Sequence, residues 1–412
     1  MDALEKPGSG SPPAALVLDE SSRGDIGLVR GLGLAGIPVH LASSDARSPT
    51  RWSRFVTRVH EMPAPDASGT IQAERLAEIA RAIGGRPPVL MAGDRTLALV
   101  FRHRERLEPF VRLDLAPTKV LEACFHKDRF AEEAARLGLP VPETNVVSSL
   151  EDVRAIAPEL TYPVFVKPCT KKAWGDLPPG VVEAQKGQRV HDREALVRLF
   201  EGLAPHDATE AIVQTYVASS DSEHYSVLAY VLPDGTFAGA FTTRKLRVYP
   251  PHGGVGCLVL SERVPELVDT TRDVLSALGY HGFALVQYKR DATSGRYFLL
   301  EINCRHSTSG ELAVRCGSNW PAVAHAALTG LDLPPVGQVE GRSWLDRERD
   351  RAAIRGYREL GEWAFGDGLR TLRTVRYGAF FAADDPGPAL RFNLNRVRTR
   401  LQKSRHRRET AS

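Results

Sequence analysis

Four polar residues in the second half of the chain have the types and the spacing needed to bind a metal ion and phosphate. Glu301, Asn303 and Arg305 are two residues apart, so in a strand they share one face and the residues between them share the other. If the preceding turn is centred near Ser294, Gln287 lies directly across from Glu301. Oxygen atoms of Gln287, Glu301 and Asn303 suit Mg²⁺ that bridges nucleotide phosphates. We predict such a site, with Arg305 beside it to stabilise negative charge on a transferring group; an exposed polar strand face is the alternative.

Lysine is scarce in this chain, with ten lysines among 54 basic residues, so the position of each one is informative. Lys167 stands at the end of an apolar strand at 162–168, just before a polar loop at 169–188 that could close over phosphates. Lys127 begins a predicted helix, where a positive charge opposes the helix dipole unless an anion binds there. Each lysine alone is equally well explained as a phosphate ligand or as a solvated surface charge.

The end of the next strand, residues 214–217, has the character of an exposed edge whose backbone could pair with an adenine ring. From sequence alone a plain core strand is the better interpretation. Glu223 or His224 begins the following strand, and either could reach ribose hydroxyls. The edge residues are Gln214, Thr215, Tyr216 and Val217.

Substrate recognition is expected from a basic strand and a serine-containing loop. Arg244 and Lys245 are adjacent and cannot both face the site on a regular strand. We take Arg244 as a carboxylate clamp, although a solvated strand charge is nearly as good an interpretation. Ser307 and Ser309 follow the metal-site strand and are the other candidate substrate contacts.

The elements that must position these residues follow a clear order. Strand and helix signals alternate in the first part of the chain, which predicts a parallel sheet. Antiparallel strands dominate the region that carries the metal site. The predicted division is a flexible leader at 1–13, an α/β domain at 14–122, a small lobe at 123–210, a large lobe at 211–331, an extension at 332–390 and a basic tail at 391–412.

Taken together, these motifs resemble the ATP-grasp superfamily over most of the chain. The order of the motifs carries the resemblance, and the last of them is similar to the family signature E-x-N-x-R. The resemblance implies α/β and α+β structure: an ATP-grasp fold with an N-terminal pre-ATP-grasp α/β domain and two lobes that clasp ATP. The motifs are the lysine-led helix at 125–130, the turn at 138–144, the strand end at 167–168, the edge at 214–217 and the strand at 300–305.

The resemblance also implies roles for single residues. Lys127 and Lys167 would contact ATP phosphates, and the edge at 214–217 would hold adenine. Glu301 and Asn303 would bind one or two Mg²⁺ ions, or Mn²⁺, and Arg305, with Lys167, would be catalytic by orienting an acyl-phosphate.

Gln287 departs from the common family pattern. Many members carry Glu or Asp at this position, whereas members resembling carbamoyl-phosphate synthetase use Gln. The amide keeps an oxygen ligand but removes one charge, so the occupancy of a second metal site stays open.

The resemblance is greatest to standalone carboxylate–amine ligases of the D-aspartate ligase type. It implies a Mg²⁺-dependent enzyme that activates a carboxylate as an acyl-phosphate and couples it to an amine. A bicarbonate-activating carboxylase or carbamoyl-phosphate-type enzyme is a second interpretation, favoured by Gln287. A non-catalytic ATP-binding regulatory protein is a third, and the intact set of charged residues argues against it.

The amino-acid composition excludes several classes of protein. With 412 residues, 42% hydrophobic and 25% charged, the chain is not a disordered, collagenous or rod-like protein. Its apolar runs are too short for a membrane span, and the N-terminus lacks the apolar core of a signal peptide. Five widely spaced cysteines favour free buried thiols. We therefore expect a cytoplasmic enzyme with small-molecule carboxylate and amine substrates and without membrane or nucleic-acid partners; the sequence also allows a homodimer.

The last 22 residues form a separate basic segment. Residues 391–412 carry eight Lys or Arg and one acid, so this tail is +7 within a chain of net charge +4. The run RVRTRLQKSRHRR could bind a phosphate polymer or an acidic partner. Because no aromatic residues are interleaved in that run, a solvated, disordered end is the preferred prediction.

Overall fold

The computed structural model describes residues 12–66, 68–169, 174–183, 187–362 and 373–409, without the side chains of residues 403–409. Most of the predicted leader and parts of the loop at 169–188 therefore lie outside the described residues. All five cysteines are free thiols, as predicted. In the described part of the chain, no helix has the length and apolar character that a bilayer crossing requires.

The N-terminal sheet is parallel, as the alternation of strands and helices predicts. Its order is β3-β2-β1-β4. The strand β1 is buried along its whole length, and α1 begins directly after it at a capping box between Ser22 and Asp25. The elements are β1 (Ala15–Asp19), α1 (Arg23–Leu34), β2 (Val39–Ser43), β3 (Val56–Glu61), α2 (Thr70–Ile83), β4 (Val89–Met91), α3 (Asp94–Arg102) and α4 (Arg104–Leu107).

The small sheet has the order β5-β8-β6-β7, and each neighbouring pair is antiparallel. The helix that begins at Lys127 ends where Gly138 adopts a positive φ of 63°, which is the left-handed cap that glycine favours. The elements are α5 (Thr118–Phe125), α6 (Lys127–Leu137), β5 (Thr144–Val147), α7 (Leu150–Ile156), β6 (Val164–Pro168), β7 (Gln188–Val190), α8 (Arg193–Leu203) and β8 (Ala211–Thr215).

The large sheet has seven strands in the order β13-β12-β9-β10-β11-β14-β15. The segment predicted as an extension, 332–390, contributes β14 and β15 and therefore completes this sheet. The elements are β9 (His224–Val231), β10 (Phe237–Tyr249), β11 (Val255–Ser261), α9 (Pro265–Ala277), β12 (Gly282–Arg290), β13 (Tyr297–Asn303), α10 (Gly310–Arg315), α11 (Trp320–Thr329), β14 (Ser343–Leu345), α12 (Arg347–Glu359), β15 (Val375–Gly378) and α13 (Gly387–Glu409).

Hydrophobic clusters join the N-terminal sheet to the large sheet but leave the small sheet with its own core. Leu16 and Leu18 of β1 share one cluster with Val227 and Val286 of the large sheet. A second cluster likewise joins β1 and α1 to the large sheet. The small sheet packs on α7 and α8 in a separate cluster that includes Phe200. The N-terminal and large sheets therefore form one packed body.

A buried ion-pair network ties the C-terminal segment to the first helix. The Arg30 guanidinium, which is fully buried, donates to Glu311 at 2.8 Å and to Asp385 at 2.9 Å. Asp385 also accepts a hydrogen bond from the Ser53 hydroxyl at 2.8 Å. Because each buried charge has a partner, the network holds α1, α10 and the segment before α13 in one arrangement.

The basic tail is helical rather than disordered over residues 391–409. It continues α13, and its first turns pack on the body through the stacked rings of Phe380 and Phe392, whose centroids are 3.9 Å apart. The prediction of a disordered tail is therefore wrong for these residues, which are helical.

Candidate active site between the small and large sheets

The four polar residues singled out from the hairpin lie together on one face of the large sheet. Gln287 of β12 is directly across from Glu301 of β13, as the predicted register requires. The Gln287 amide nitrogen donates to Glu301 Oε1, and the Asn303 amide donates to the same oxygen at 3.0 Å. The three side chains therefore form one row that is held by their own hydrogen bonds.

Arg305 extends this row and has a partner that the sequence analysis missed. Its Nη2 lies 3.5 Å from Asn303 Oδ1, and its Nε donates to Asp94 Oδ1 at 2.6 Å. Asp94 is the first residue of α3, so the N-terminal sheet orients the guanidinium. The contact joins residues 211 positions apart, and no local pattern could have revealed it.

Lys245, rather than Arg244, faces the row of polar residues. On β10, Lys245 pairs with His224, whereas Arg244 pairs with Tyr225 and therefore lies on the other face of the sheet. The Lys245 ammonium donates to Gln287 Oε1. The expectation that Arg244 clamps a substrate is thus corrected, because the pleat turns its side chain away.

Arg244 has partners of its own on that opposite face. It donates to the Ser222 carbonyl at 2.6 Å and to Glu223 at 2.7 Å, and its guanidinium lies 5.6 Å from the Tyr225 ring centre. Glu223 is therefore engaged by Arg244 through one carboxylate oxygen, and its contact with ribose stays a prediction. These contacts give Arg244 and Glu223 a structural role.

His224 remains on the site face. It pairs with Lys245 on one side and with Lys289 on the other. Burial, together with these two ammonium groups, holds the pKa of His224 well below its ordinary value. The imidazole is therefore neutral at physiological pH and able to accept a hydrogen bond.

The two predicted phosphate lysines approach from the other side of the cleft. Lys167 is on β6, and burial lowers its pKa while the negative charge of Glu301 opposes that shift. Lys127 donates its ammonium to the Pro168 carbonyl at 2.8 Å. The first residue of α6 is thereby tied to the end of β6.

A cleft separates the lysines from the polar row. Both lysines and Gln214 line it from one side, and Glu301 and Asn303 line it from the other. Its remaining walls are largely apolar, with Phe125, Phe130, Val141, Ile212 and Leu299 among them. Apolar walls with a few convergent polar groups are typical of ligand sites.

The edge at 214–217 lies at the junction of the sheets. The Gln214 amide donates to Thr144 Oγ1 at 2.8 Å, and the backbone N–H groups of Thr215 and Tyr216 donate to the carbonyls of Glu143 and Pro163. The Val217 side chain is buried. The Tyr216 ring lies beneath the cations of Lys289 and Arg189, at 4.9 and 5.3 Å.

Ser307 and Ser309 follow Arg305 and lie where the large sheet meets the N-terminal sheet. Their hydroxyls are 3.4 Å apart, and Ser307 is buried. A side chain at Gly24, near the start of α1, would reach within 3.2 Å of the Ser307 carbonyl. The serines therefore lie on the side of Arg305 that faces the N-terminal sheet.

The oxygen donors of the polar row suit Mg²⁺ that is shared with phosphate. Within the described ranges, no group of three or more His, Cys, Asp or Glu side chains could hold a metal. One carboxylate, Glu301, with the neighbouring Asn303 amide suits an ion that takes most of its ligands from phosphate and water. Gln287 is already engaged by Lys245, and so the residues fit one ion better than two.

Comparisons with known proteins agree with this architecture. No family model matches the chain. It is 27% identical over 231 residues to the N-terminal section of the carbamoyl phosphate synthase large chain of Methanopyrus kandleri, covering 53% of this chain but only 38% of that protein. It is 26% identical over 289 residues to D-aspartate ligase of Enterococcus faecium, covering 67% of each.

Solved structures resemble the fold over most of its length. An N5-carboxyaminoimidazole ribonucleotide synthetase in complex with ADP matches with a TM-score of 0.60 at 14% identity, covering 79% of this chain and 80% of that one. Biotin carboxylase from Campylobacter jejuni matches with a TM-score of 0.59 at 14% identity, covering 78% and 72%. The chain thus has the ATP-grasp fold.

Proposed function

We propose that this protein is a Mg²⁺-dependent, ATP-consuming ligase that activates a carboxylate as an acyl-phosphate and couples it to an amine. The observation that carries the proposal is the arrangement of charge across the cleft. Lys127 and Lys167 lie on one side, and the row of Gln287, Glu301 and Asn303 lies on the other. Cations facing hard oxygen donors suit a polyphosphate with its metal.

The adenine ring is assigned to the junction at 214–217. Thr215 and Tyr216 already use their N–H groups in the backbone, and the Val217 N–H is unpaired within the described residues. That N–H can donate to a ring nitrogen. The neutral imidazole of His224, which faces the same side as Lys245, is the candidate contact for a ribose hydroxyl.

Phosphoryl transfer needs positioning and charge neutralisation more than covalent help from the protein. When bound, Mg²⁺ would be held by Glu301 and Asn303 and would neutralise phosphate charge. Lys167 and Lys245 supply positive charge from opposite sides of the transferring group. We assign Lys245 the place that a second metal would otherwise occupy, because it already engages Gln287.

The second half of the reaction is assigned to the region around Arg305. A substrate carboxylate attacks the γ-phosphorus, ADP leaves, and an amine then attacks the acyl carbon and displaces phosphate. The guanidinium, held by Asp94 at 2.6 Å, is placed to stabilise the charge on the acyl-phosphate. Ser307 and Ser309 extend the site toward the N-terminal sheet and are candidate contacts for the acceptor.

The similarity to a D-aspartate ligase favours an amino acid as one substrate. A second candidate function is activation of bicarbonate. It is favoured by Gln287 and by the similarity to a carbamoyl phosphate synthase section, although that match covers a minority of the relative.

ADP release separates these functions. The protein is incubated with ATP and Mg²⁺ and with a panel of amino acids and other carboxylates, singly and in pairs, with and without bicarbonate. ADP that forms only when a carboxylate and an amine are both present is the expected result. ADP formation that requires bicarbonate would support the second candidate, and nucleotide binding without turnover across the panel would contradict both.

Glu301→Ala should lower kcat by about a thousandfold or more, since it removes the only carboxylate of the proposed metal site. The melting temperature reports whether the fold survives. Glu266→Gln, an exposed carboxylate on the same part of the chain, is the matched control. Unchanged turnover in Glu301→Ala would remove the metal assignment.

A further inference from the structure

The helix α13 is fixed to the body by one face only. Phe392 stacks on Phe380, the Asn395 amide donates to the Arg47 carbonyl at 2.8 Å, and the Arg396 guanidinium lies 3.9 Å from Glu348. Arg391 donates to the Ala46 carbonyl at 3.1 Å from the edge of the same face. These contacts fix the direction in which the opposite face points.

That opposite face carries an apolar stripe. Its spacing of four, three and four residues places all four side chains within about 60° of the helix circumference. Each is between 49% and 60% exposed, so the body of the protein does not cover them. The residues are Leu390, Leu394, Val397 and Leu401.

Arginine follows the stripe on both sides. Arg398 lies on one flank and Arg400 on the other, by the same 100° step per residue, whereas Arg391 and Arg396 already contact the body. From 391 to 408 the sequence contains eight basic residues and no acid. Aliphatic side chains with cations on both flanks are the pattern of a helix that lies on an anionic surface.

We propose that α13 binds the surface of an anionic lipid bilayer, with the aliphatic stripe in the headgroup boundary and the flanking arginines on lipid phosphates. Each basic residue near such a surface adds to the attraction. The attraction is therefore large even though the stripe is narrow. This surface contact is not a membrane span, but it departs from the expectation, made from the sequence, that the protein has no membrane partner.

Other binding partners would use only part of this exposed face of α13. A second copy of the helix would bring arginine against arginine along both flanks. A coiled coil with an acidic helix needs three or more heptads, whereas the stripe covers two and the next positions with its spacing, 404 and 408, are serine and arginine. Nucleic acid would bind the cations but leave the aliphatic stripe in water.

Exposed aromatic residues lie close to the docked end of the helix. Trp52 is half-exposed, and its ring lies 5.2 Å from the Arg391 guanidinium. Phe381, the neighbour of the stacked Phe380, is also exposed. Aromatic side chains prefer the level of the lipid headgroups.

Vesicle co-sedimentation of the full-length protein tests the proposal. The probes are vesicles of phosphatidylcholine alone and vesicles with about 30% phosphatidylglycerol. We expect binding to be at least about tenfold stronger to the anionic vesicles and to fall steeply as salt is raised. Equal binding to both vesicle types, or binding to neither, would overturn the proposal.

Two variants separate the lipid surface from other polyanions. Leu394→Gln with Val397→Gln removes half of the stripe without changing charge and should weaken vesicle binding about tenfold. Thr399→Gln, an exposed change away from the stripe, is the matched control and should leave binding unchanged. If the stripe variant binds vesicles as tightly as the wild type, or if double-stranded DNA is bound more tightly than the vesicles, the lipid assignment is wrong. Because binding needs no turnover, the outcome is independent of the proposed ligase activity.

Discussion

The small and large sheets face the same cleft, but they are stabilised in different ways. The large sheet shares two hydrophobic clusters with the N-terminal sheet, so the face that carries Glu301 is part of one packed body. The small sheet has a separate core. The oxygen donors are therefore held by the packed body, whereas the strand that carries Lys167 is stabilised by other residues.

The polar side chains that the large and small sheets present to the cleft also differ. On the large sheet, Glu301 is already hydrogen-bonded to Gln287 and Asn303, and Lys245 holds Gln287. On the small sheet, the lysine that lines the cleft is buried enough that its pKa is lowered. The large sheet thus holds its polar side chains in a fixed row, whereas the small sheet contributes a buried positive charge.

Among the variants that test this comparison, the largest effect is expected from those that show which face of the large sheet belongs to the site. Lys245→Met should lower kcat about 100-fold, because it removes a cation aimed at the transferring group. Arg244→Met, the adjacent residue on the opposite face, should leave kcat nearly unchanged and lower the melting temperature, since Glu223 loses its partner. Steady-state kinetics and thermal melts on both variants measure this, and a larger kinetic loss in Arg244→Met would reverse the assignment.

An intermediate effect concerns the charge on the small sheet. Because burial lowers the pKa of Lys167, its charge is lost at a lower pH than that of an ordinary lysine as the solution becomes more alkaline. Above that pKa, kcat/KM for ATP should fall about tenfold per pH unit.

Lys167→Arg should move this alkaline loss to higher pH, because guanidinium stays protonated. The pH profile of kcat/KM for ATP is the measurement. Lys119→Arg, an exposed lysine, is the control and should leave the profile in place. An alkaline limb that does not move in Lys167→Arg would show that another group titrates there.

The smallest expected effect tests the independence of the two cores. Phe200→Leu in the small-sheet core should cost about 1 kcal/mol and should speed amide exchange within 144–215 while leaving the N-terminal sheet protected. Val286→Ala in the shared core should weaken the N-terminal and large sheets together. Hydrogen exchange read by mass spectrometry distinguishes these patterns, and uniform loss of protection in Phe200→Leu would contradict the separate core.

The sequence was most informative where one face of a strand is polar and the other apolar. Glu301, Ile302 and Asn303 alternate in this way, so the row and its pairing with Gln287 could be predicted from the pleat. On β10 the signal fails, because Phe241, Thr242 and Thr243 are all buried and no alternation marks the site face. For that reason Arg244 was chosen where Lys245 is the residue that faces Gln287.

Contacts between residues far apart in the chain could not be predicted from the sequence for a different reason. The contact of Arg305 with Asp94 depends on how the N-terminal and large sheets pack, and no local pattern encodes it. Short strands such as β14, with three residues, carry too few positions to show a period. In α13 the count of charges dominated the interpretation, although the stripe from Leu390 to Leu401 was present in the sequence.

The buried pairing of Arg30 with Asp385 has a consequence for synthesis. The arginine leaves the ribosome 355 residues before Asp385, and until then its buried charge lacks one of its two carboxylate partners. The N-terminal sheet can therefore form early, but its final packing waits for the end of translation. A nascent chain that stops short of residue 385 should keep α1 loosely attached and remain a substrate for chaperones and proteases.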